Sequence, residues 1–270
     1  RSTLFPYTTL FRSLELLNIL LANDDGINAK GLRALADEIS TIADVYVVAP
    51  DGERSAMGHC ISCRDKIYLE SQDFPGAVMA YKCSGTPADC VKLGIDFLGD
   101  MDIEMDFVVT GINHGGNLGT DTHYSGTVSA ALEGVMNKVS SIAVSVVSHE
   151  AHFFEYPAKL AKDAVLGRFG SIPNDRMLNI NVPDKPEAEI KGIKFTKLGR
   201  RGYVDIFKRL PDENGKFCYT YSGNPRHYGT CDDEVDVPAF EMGYVTVTPM
   251  GLDFTDHEML GDINKKLTHA

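Results

Sequence analysis

Two carboxylates, Asp24 and Asp25, stand side by side where the apolar run at 16–22 ends, just before Gly26. Like charges at a strand exit repel, and burial raises their energy further unless a cation sits between or beside them. The other donors that the chain can bring to such a place are the hydroxyl of Ser55 and the amide carbonyl of Asn113. An all-oxygen set with few protein groups suits Mg²⁺ or Mn²⁺, which keep several waters and bind through carboxylates plus substrate phosphate. It suits Zn²⁺ less well. A second reading needs no ligand, because Asn-Asp-Asp-Gly is also good material for an Asx-turn or for a cap on the next helix.

A second stretch shifts the balance. In "TGINHGGNLGTDTHYSGT" (110–127), Gly111, Gly115, Gly116 and Gly119 permit close backbone approach, and Ser125-Gly126-Thr127 opens a helix. Backbone N–H groups at a helix start, aided by the helix dipole, hold anions. Asn117, Ser125 and Thr127 offer side-chain donors to phosphate oxygens, and His114 and His123 are candidate acids for a leaving group. There is no Gly-Lys-Ser/Thr of a Walker A loop and no GxGxxG after the first strand, which removes the NTPase and dehydrogenase readings. A phosphatase with an aspartyl nucleophile, of the haloacid-dehalogenase kind, wants its two carboxylates separated by one residue; here they are adjacent.

These residues need elements to position them. Short apolar runs at 16–22, 44–50, 105–111, 141–148 and 177–183 read as strands, alternating with helical segments. In the first such segment Gly31, Leu32, Leu35, Ala36 and Ile39 recur at helical spacing. Thr86-Pro87 opens a second helix, Ser125 a third (Val128, Ala131, Leu132 and Val135 on its apolar face), and a fourth is expected near 157–169. That alternation predicts an α/β fold with a mainly parallel sheet of five or six strands. In such sheets ligands bind beyond the carboxyl ends of the strands, where the stretches at 23–26, 50–59 and 110–127 all fall. Beyond 183 the chain turns aromatic and alternating. It predicts a hairpin around 212–215 with a four- or five-residue loop, a strand at 243–249 and a last helix at 256–267.

Composition limits the partners. A 270-residue chain with 43% hydrophobic residues can bury a large core, and a net charge of −12 disfavours steering toward a nucleic acid polymer. No apolar run reaches the 18 to 20 residues, roughly, of a membrane span. Six scattered cysteines are not a secreted framework and suggest a cytoplasmic location; Cys60 and Cys63 form a CxxC without a second pair at zinc spacing. Residues 1–13 lack the features of a signal peptide, and 3–13 match a common sequencing-adapter oligonucleotide read in frame. They are expected to be a non-native leader. Residues 14–190 are then expected to form the catalytic core and 191–270 a hairpin and C-terminal oligomerisation segment.

The blocks "ILLANDDGINAKG", "VYVVAPDGERSAMGH", "SGTPADCV", "GINHGGNLGTDTHYSGTVSAALEG", "LNINVP" and "GYVTVTP" resemble, in order, those of the SurE (survival protein E) family of metal-dependent nucleotidases. The resemblance spans about residues 17–255. It implies a Rossmann-like three-layer α/β/α core, with a C-terminal hairpin and an exchanged helical segment building a homo-dimer or homo-tetramer. It implies one divalent metal ion, Mg²⁺ or Mn²⁺, per subunit on Asp24, Asp25, Ser55 and Asn113, and phosphate binding at Asn117, Ser125, Gly126 and Thr127. The implied substrate is a nucleoside monophosphate, with action on short polyphosphate a further expectation; the alternative is a metal-dependent nucleotide sensor without turnover. Two positions depart from the family: Lys30 replaces Pro, and Gly52 stands where Arg or Lys is frequent. Neither is a proposed ligand.

Overall fold

The computed structural model describes residues 16–204, 206–221, 223–228 and 232–267; the expected leader at 1–13 lies outside them. The strands are β1 (Leu17–Ala22), β2 (Ala43–Pro50), β3 (Leu69–Ser71), β4 (Met79–Cys83), β5 (Phe107–His114), β6 (Ser140–Val146), β7 (Met177–Val182), β8 (Ile193–Phe195), β9 (Arg200–Val204), β10 (Phe207–Glu213), β11 (Lys216–Tyr221), β12 (Asn224–Tyr228) and β13 (Val245–Met250). The helices are α1 (Lys30–Ile39), α2 (Pro87–Gly99), α3 (Gly126–Met136), α4 (Glu155–Val165), α5 (Asp236–Glu241) and α6 (His257–Leu267).

Nine strands form one sheet in the order β3-β4-β2-β1-β5-β6-β7-β13-β8. The six strands from β4 to β7 run parallel. Taken alone, they follow the order 3-2-1-4-5-6 of a Rossmann-like sheet, whose direction of winding reverses between β1 and β5. The register there is Ile19↔Phe107 through Ala22↔Thr110, so both strands deliver their C-terminal ends to one crevice.

The three layers follow from side-chain alternation along the strands. Ile19 and Leu21 of β1 join Leu32, Leu35 and Ile39 of α1 and Leu160 and Ala161 of α4 on one face. Leu20 and Ala22 join Cys90, Val91 and Leu98 of α2 on the other, where α2 packs on α3. All five residues expected at helical spacing in α1 are buried. Thr86 and Asp89 cap α2 reciprocally in a capping box.

The structure departs from the expected elements in four places. β4 and the short antiparallel β3 complete one edge, and "MAYKC" was hidden by having no β-branched residue. β5 runs on to His114 because Gly111, at φ +124°, lets its register against β6 shift between Thr110 and Asn113. A Cβ at Gly111 would lie 2.3 Å from the Val144 carbonyl oxygen. The hairpin turns on two residues, Asn214 and Gly215, with Glu213 paired to Lys216; both have positive φ (51° and 73°), as its tight twist requires. Finally, β8 and β13, both beyond residue 190, lie in the main sheet, with β13 antiparallel to β7.

Candidate active site

The crevice between β1 and β5 gathers the predicted residues from three loops. Asp24 and Asp25 follow β1 directly. The Asx-turn at this point is made by Asn23, whose Oδ1 accepts from Gly26 N–H (3.2 Å) and whose Nδ2 donates to Gly26 O (2.9 Å). The residue preceding α1 is Ala29, with no side-chain cap. The two aspartates therefore serve neither local purpose.

They reach across the crevice instead. Asp24 is buried, and its Oδ1 accepts a short hydrogen bond from the hydroxyl of Thr127 on α3. Asp25 Oδ2 accepts from the backbone N–H of His114 at the end of β5 (3.2 Å). Burial pushes the Asp24 carboxyl up to about 6, opposed by the Thr127 hydrogen bond and reinforced by the charge of Asp25. Burial likewise raises Asp25 to about 6, opposed by the His114 N–H and reinforced by Glu53. No cationic side chain is among the main causes of either shift. Each carboxylate is thus oriented by hydrogen bonds from the fold, Asp24 by Thr127 and Asp25 by the His114 N–H.

The loop after β2 closes over this pair. Its Arg54 N–H donates to Asp24 O (2.7 Å) and its Gly58 N–H to Tyr124 O (3.0 Å), which brackets Ser55 between two anchors. The Ser55 hydroxyl donates to Glu53 Oε1 (2.6 Å), leaving its oxygen as a donor. Asn113 donates its Nδ2 to Gly115 O (2.8 Å), which orients the amide so that Oδ1 is the atom it could offer a cation. Two carboxylate oxygens, a hydroxyl and an amide oxygen fit a hard divalent cation, and the raised carboxyls are the sign of a site that such a cation would relieve. Among the described residues no three His, Cys, Asp or Glu side chains gather as a metal-ligand group.

The expected anion site lies beside them. Ser125 caps α3, its Oγ accepting from Val128 N–H (3.0 Å) while its own proton stays available. Gly126 packs on Asp24: a Cβ there would lie 2.9 Å from Asp24 Cβ and 3.0 Å from Oδ2. As the first residues of α3, Gly126 and Thr127 have N–H groups without an intrahelical acceptor; that of Thr127 turns to the Asp24 carboxylate, which leaves that of Gly126. The side-chain roles expected of two residues change. Thr127 spends its only hydroxyl proton on Asp24. Asn117 is buried, with Nδ2 on Ser145 Oγ (2.8 Å), N–H on Asn181 Oδ1 (2.7 Å) and O accepting from Asn179 and Asn181, which pins its loop to β6 and β7. The donors left for an anion here are the Gly126 amide and the Ser125 hydroxyl.

Of the two histidines, His114 stacks on Phe154 (centroids 5.2 Å apart), and burial lowers its ring below the usual histidine range. His123 is exposed, 6.2 Å from the Phe254 ring. Sequence reasoning passed over Glu53 and Asp121, although both lie inside the stretches singled out. Their signal, a carboxylate within two to four residues of a proposed ligand or donor, is too common to select.

The chain is similar to known proteins over most of its length. The family model described as "Survival protein SurE" matches residues 19–205. A 5′-nucleotidase SurE from Pelotomaculum thermopropionicum is 41% identical over 255 residues, covering 94% of this chain and 96% of the relative. One from Petrotoga mobilis is 42% identical over 253 residues, covering 93% and 99%. The crystal structure of a SurE protein from Aquifex aeolicus superposes with a TM-score of 0.77 at 37% identity, covering 92% of this chain and 98% of that one.

Proposed function

We propose, from the premise that this chain belongs to the survival protein SurE family, that it is a divalent-metal-dependent 5′-nucleotidase that hydrolyses the phosphoric monoester of nucleoside monophosphates. The observation that carries this reading is the pairing of the buried Asp24 with the half-buried Asp25, both raised and unused by local structure, with a helix N-terminus packed against one of them.

Asp24, Asp25, Ser55 and Asn113 would hold one Mg²⁺ or Mn²⁺ per subunit, which when bound supplies neutralisation of phosphate charge and a more acidic water. The Gly126 amide and the Ser125 hydroxyl receive the phosphoryl oxygens, and the α3 dipole favours their charge as it grows. Thr127 fixes Asp24, and the His114 N–H fixes Asp25, so the carboxylates are placed before substrate arrives. Water attacks phosphorus, the P–O ester bond breaks, and one water proton passes by way of the carboxylate pair to the departing oxygen, releasing the nucleoside alcohol and inorganic phosphate.

Short polyphosphate, which offers the same terminal phosphoryl group, is a second substrate of this reading. The chain acts in the cytoplasm as a homo-dimer or homo-tetramer. The exposed aromatic residues of the β10–β11 hairpin support the assembly, and five free cysteines among the described residues support the compartment. No helix among the described residues is long and apolar enough to cross a membrane.

The test is phosphate release from a panel of mononucleotides and short polyphosphate with Mn²⁺ or Mg²⁺, with and without chelator. Chelator-sensitive release from mononucleotides is expected. Binding without release would favour a sensor, and release unaffected by chelator would remove the metal.

A further inference from the structure

The loop at 115–124 connects β5 to α3, so its path determines where the α3 N-terminus stands relative to Asp24. It is held at its near end by Gly115 N–H on Val146 O (2.9 Å) and by the Asn117 network. Its far half is held by a different part of the chain, the segment around β9 and the start of α5.

Three consecutive residues make that contact. Gly119, at φ +54°, approaches Gly199 so closely that a Cβ would lie 2.9 Å from the Gly199 carbonyl oxygen. The fully buried Asp236 carboxylate spans the two backbones, accepting from Gly119 N–H at Oδ2 (2.6 Å) and from Gly199 N–H at Oδ1 (2.7 Å). Thr120 exchanges hydrogen bonds with Arg201, its hydroxyl donating to the carbonyl and accepting from the N–H (3.2 Å). Asp121 Oδ2 accepts from both Arg201 Nη1 (2.8 Å) and Tyr203 Oη (2.8 Å), in surroundings that leave only 11% of the Asp121 side chain exposed. Tyr203 stays protonated, since burial and the Asp121 carboxylate push its hydroxyl up to about 12.

These contacts exceed what joining the loop to the body requires. A carboxylate with two charge-assisted or hydroxyl donors, and a second bridging two backbones, restrict both translation and rotation of a segment that is otherwise a 3₁₀ turn. We infer that Asp121 and Asp236 are positioning residues: they clamp the glycine-rich loop onto β9 and α5 and thereby hold the α3 N-terminus in place for phosphate. β9 and the start of α5 are thus part of the site's support. This inference rests on the reading of the α3 start as a phosphate site. It does not depend on turnover.

The experiment measures inorganic phosphate binding to the full-length, Mn²⁺-loaded protein by calorimetry, beside Mn²⁺ binding without phosphate. In Asp121→Ala, phosphate affinity should fall by roughly 10-fold and Mn²⁺ affinity by clearly less, because phosphate meets the displaced α3 start directly whereas of the proposed metal donors only Asp24 is tied to α3, through Thr127. Arg201→Ala should show the same separation, and the double variant should be no worse than either single one. Tyr203→Phe, which removes one hydroxyl and keeps the ring, should weaken phosphate in the same direction but less, and it decides the matter if Asp121→Ala does not fold. Wild-type phosphate affinity in these variants overturns the inference. So does parallel loss of phosphate affinity, Mn²⁺ affinity and thermal stability, the mark of a purely structural role. If the wild-type protein binds phosphate but hydrolyses no mononucleotide, the nucleotidase reading fails and the affinities alone decide the positioning role. If it binds no phosphate, the inference falls as well.

Discussion

A carboxyl whose folded value is raised binds a proton over a pH range in which the unfolded chain has released it. For Asp24 and Asp25, raised from 3.8 to about 6, that range is roughly pH 4 to 6. The contribution to metal-free stability is present below pH 4 and is lost as pH rises through 6, by at most about 3 kcal/mol for the buried Asp24. A divalent ion favours the ionised pair and reverses the effect. Chelator should therefore lower the unfolding temperature more at pH 8 than at pH 5; equal shifts in scanning calorimetry would contradict the site. Asp24→Asn or Asp25→Asn should reduce metal-dependent phosphate release by a factor on the order of 100 or more while the circular dichroism spectrum is retained. Thr127→Val, which leaves every proposed ligand in place, should weaken Mn²⁺ by roughly 10-fold through Asp24 alone.

Elements bring these residues within reach by packing closer than most side chains allow. Gly31, in the first turn of α1, lies against β5, and a Cβ there would stand 2.1 Å from the Ile112 carbonyl oxygen. Backbone atoms cannot retreat as a flexible side chain can, so Gly31→Ala should destabilise the protein by roughly 1–3 kcal/mol or more, read as a lower denaturant midpoint. Gly126 does the same for α3 against Asp24. These are not turn glycines: they set the distance between layers. Periodicity and capping signals made α1, α2 and α3 legible in the chain, because helix faces and caps are local. β4 and the two-residue Asn214-Gly215 turn were missed, the first for want of β-branched residues and the second because a strong local Asn-Gly signal was read as part of a longer loop.

At the scale of the molecule, the described chain leaves much apolar surface uncovered at its C-terminal end. Phe207, Phe217 and Tyr221 of the hairpin are each more than 60% exposed, and no residue of α6 is buried. A two-stranded ribbon of this kind is marginal alone in water and gains by packing on another copy. Phe207→Ser with Phe217→Ser should shift the mass measured by light scattering toward the monomer; an unchanged mass would place the assembly contact elsewhere. The apolar residues of the ribbon were visible in the sequence. The tie of β9 and α5 to the site through Asp121, Asp236 and Arg201 was not, because those partners are 80 or more residues apart in two of the three contacts.

Sequence alone determined the α/β alternation, the strand ends that carry polar loops and the oxygen-only donor set, since each is written in neighbouring residues with a fixed period or spacing. Tertiary structure decided which of those donors are free. Asn23 takes the turn, Thr127 turns its hydroxyl to Asp24, and Asn117 anchors its loop on β7. A hydrogen bond is claimed by whichever partner the folded chain brings within 3 Å or so, and that choice is made across the sheet rather than along the chain.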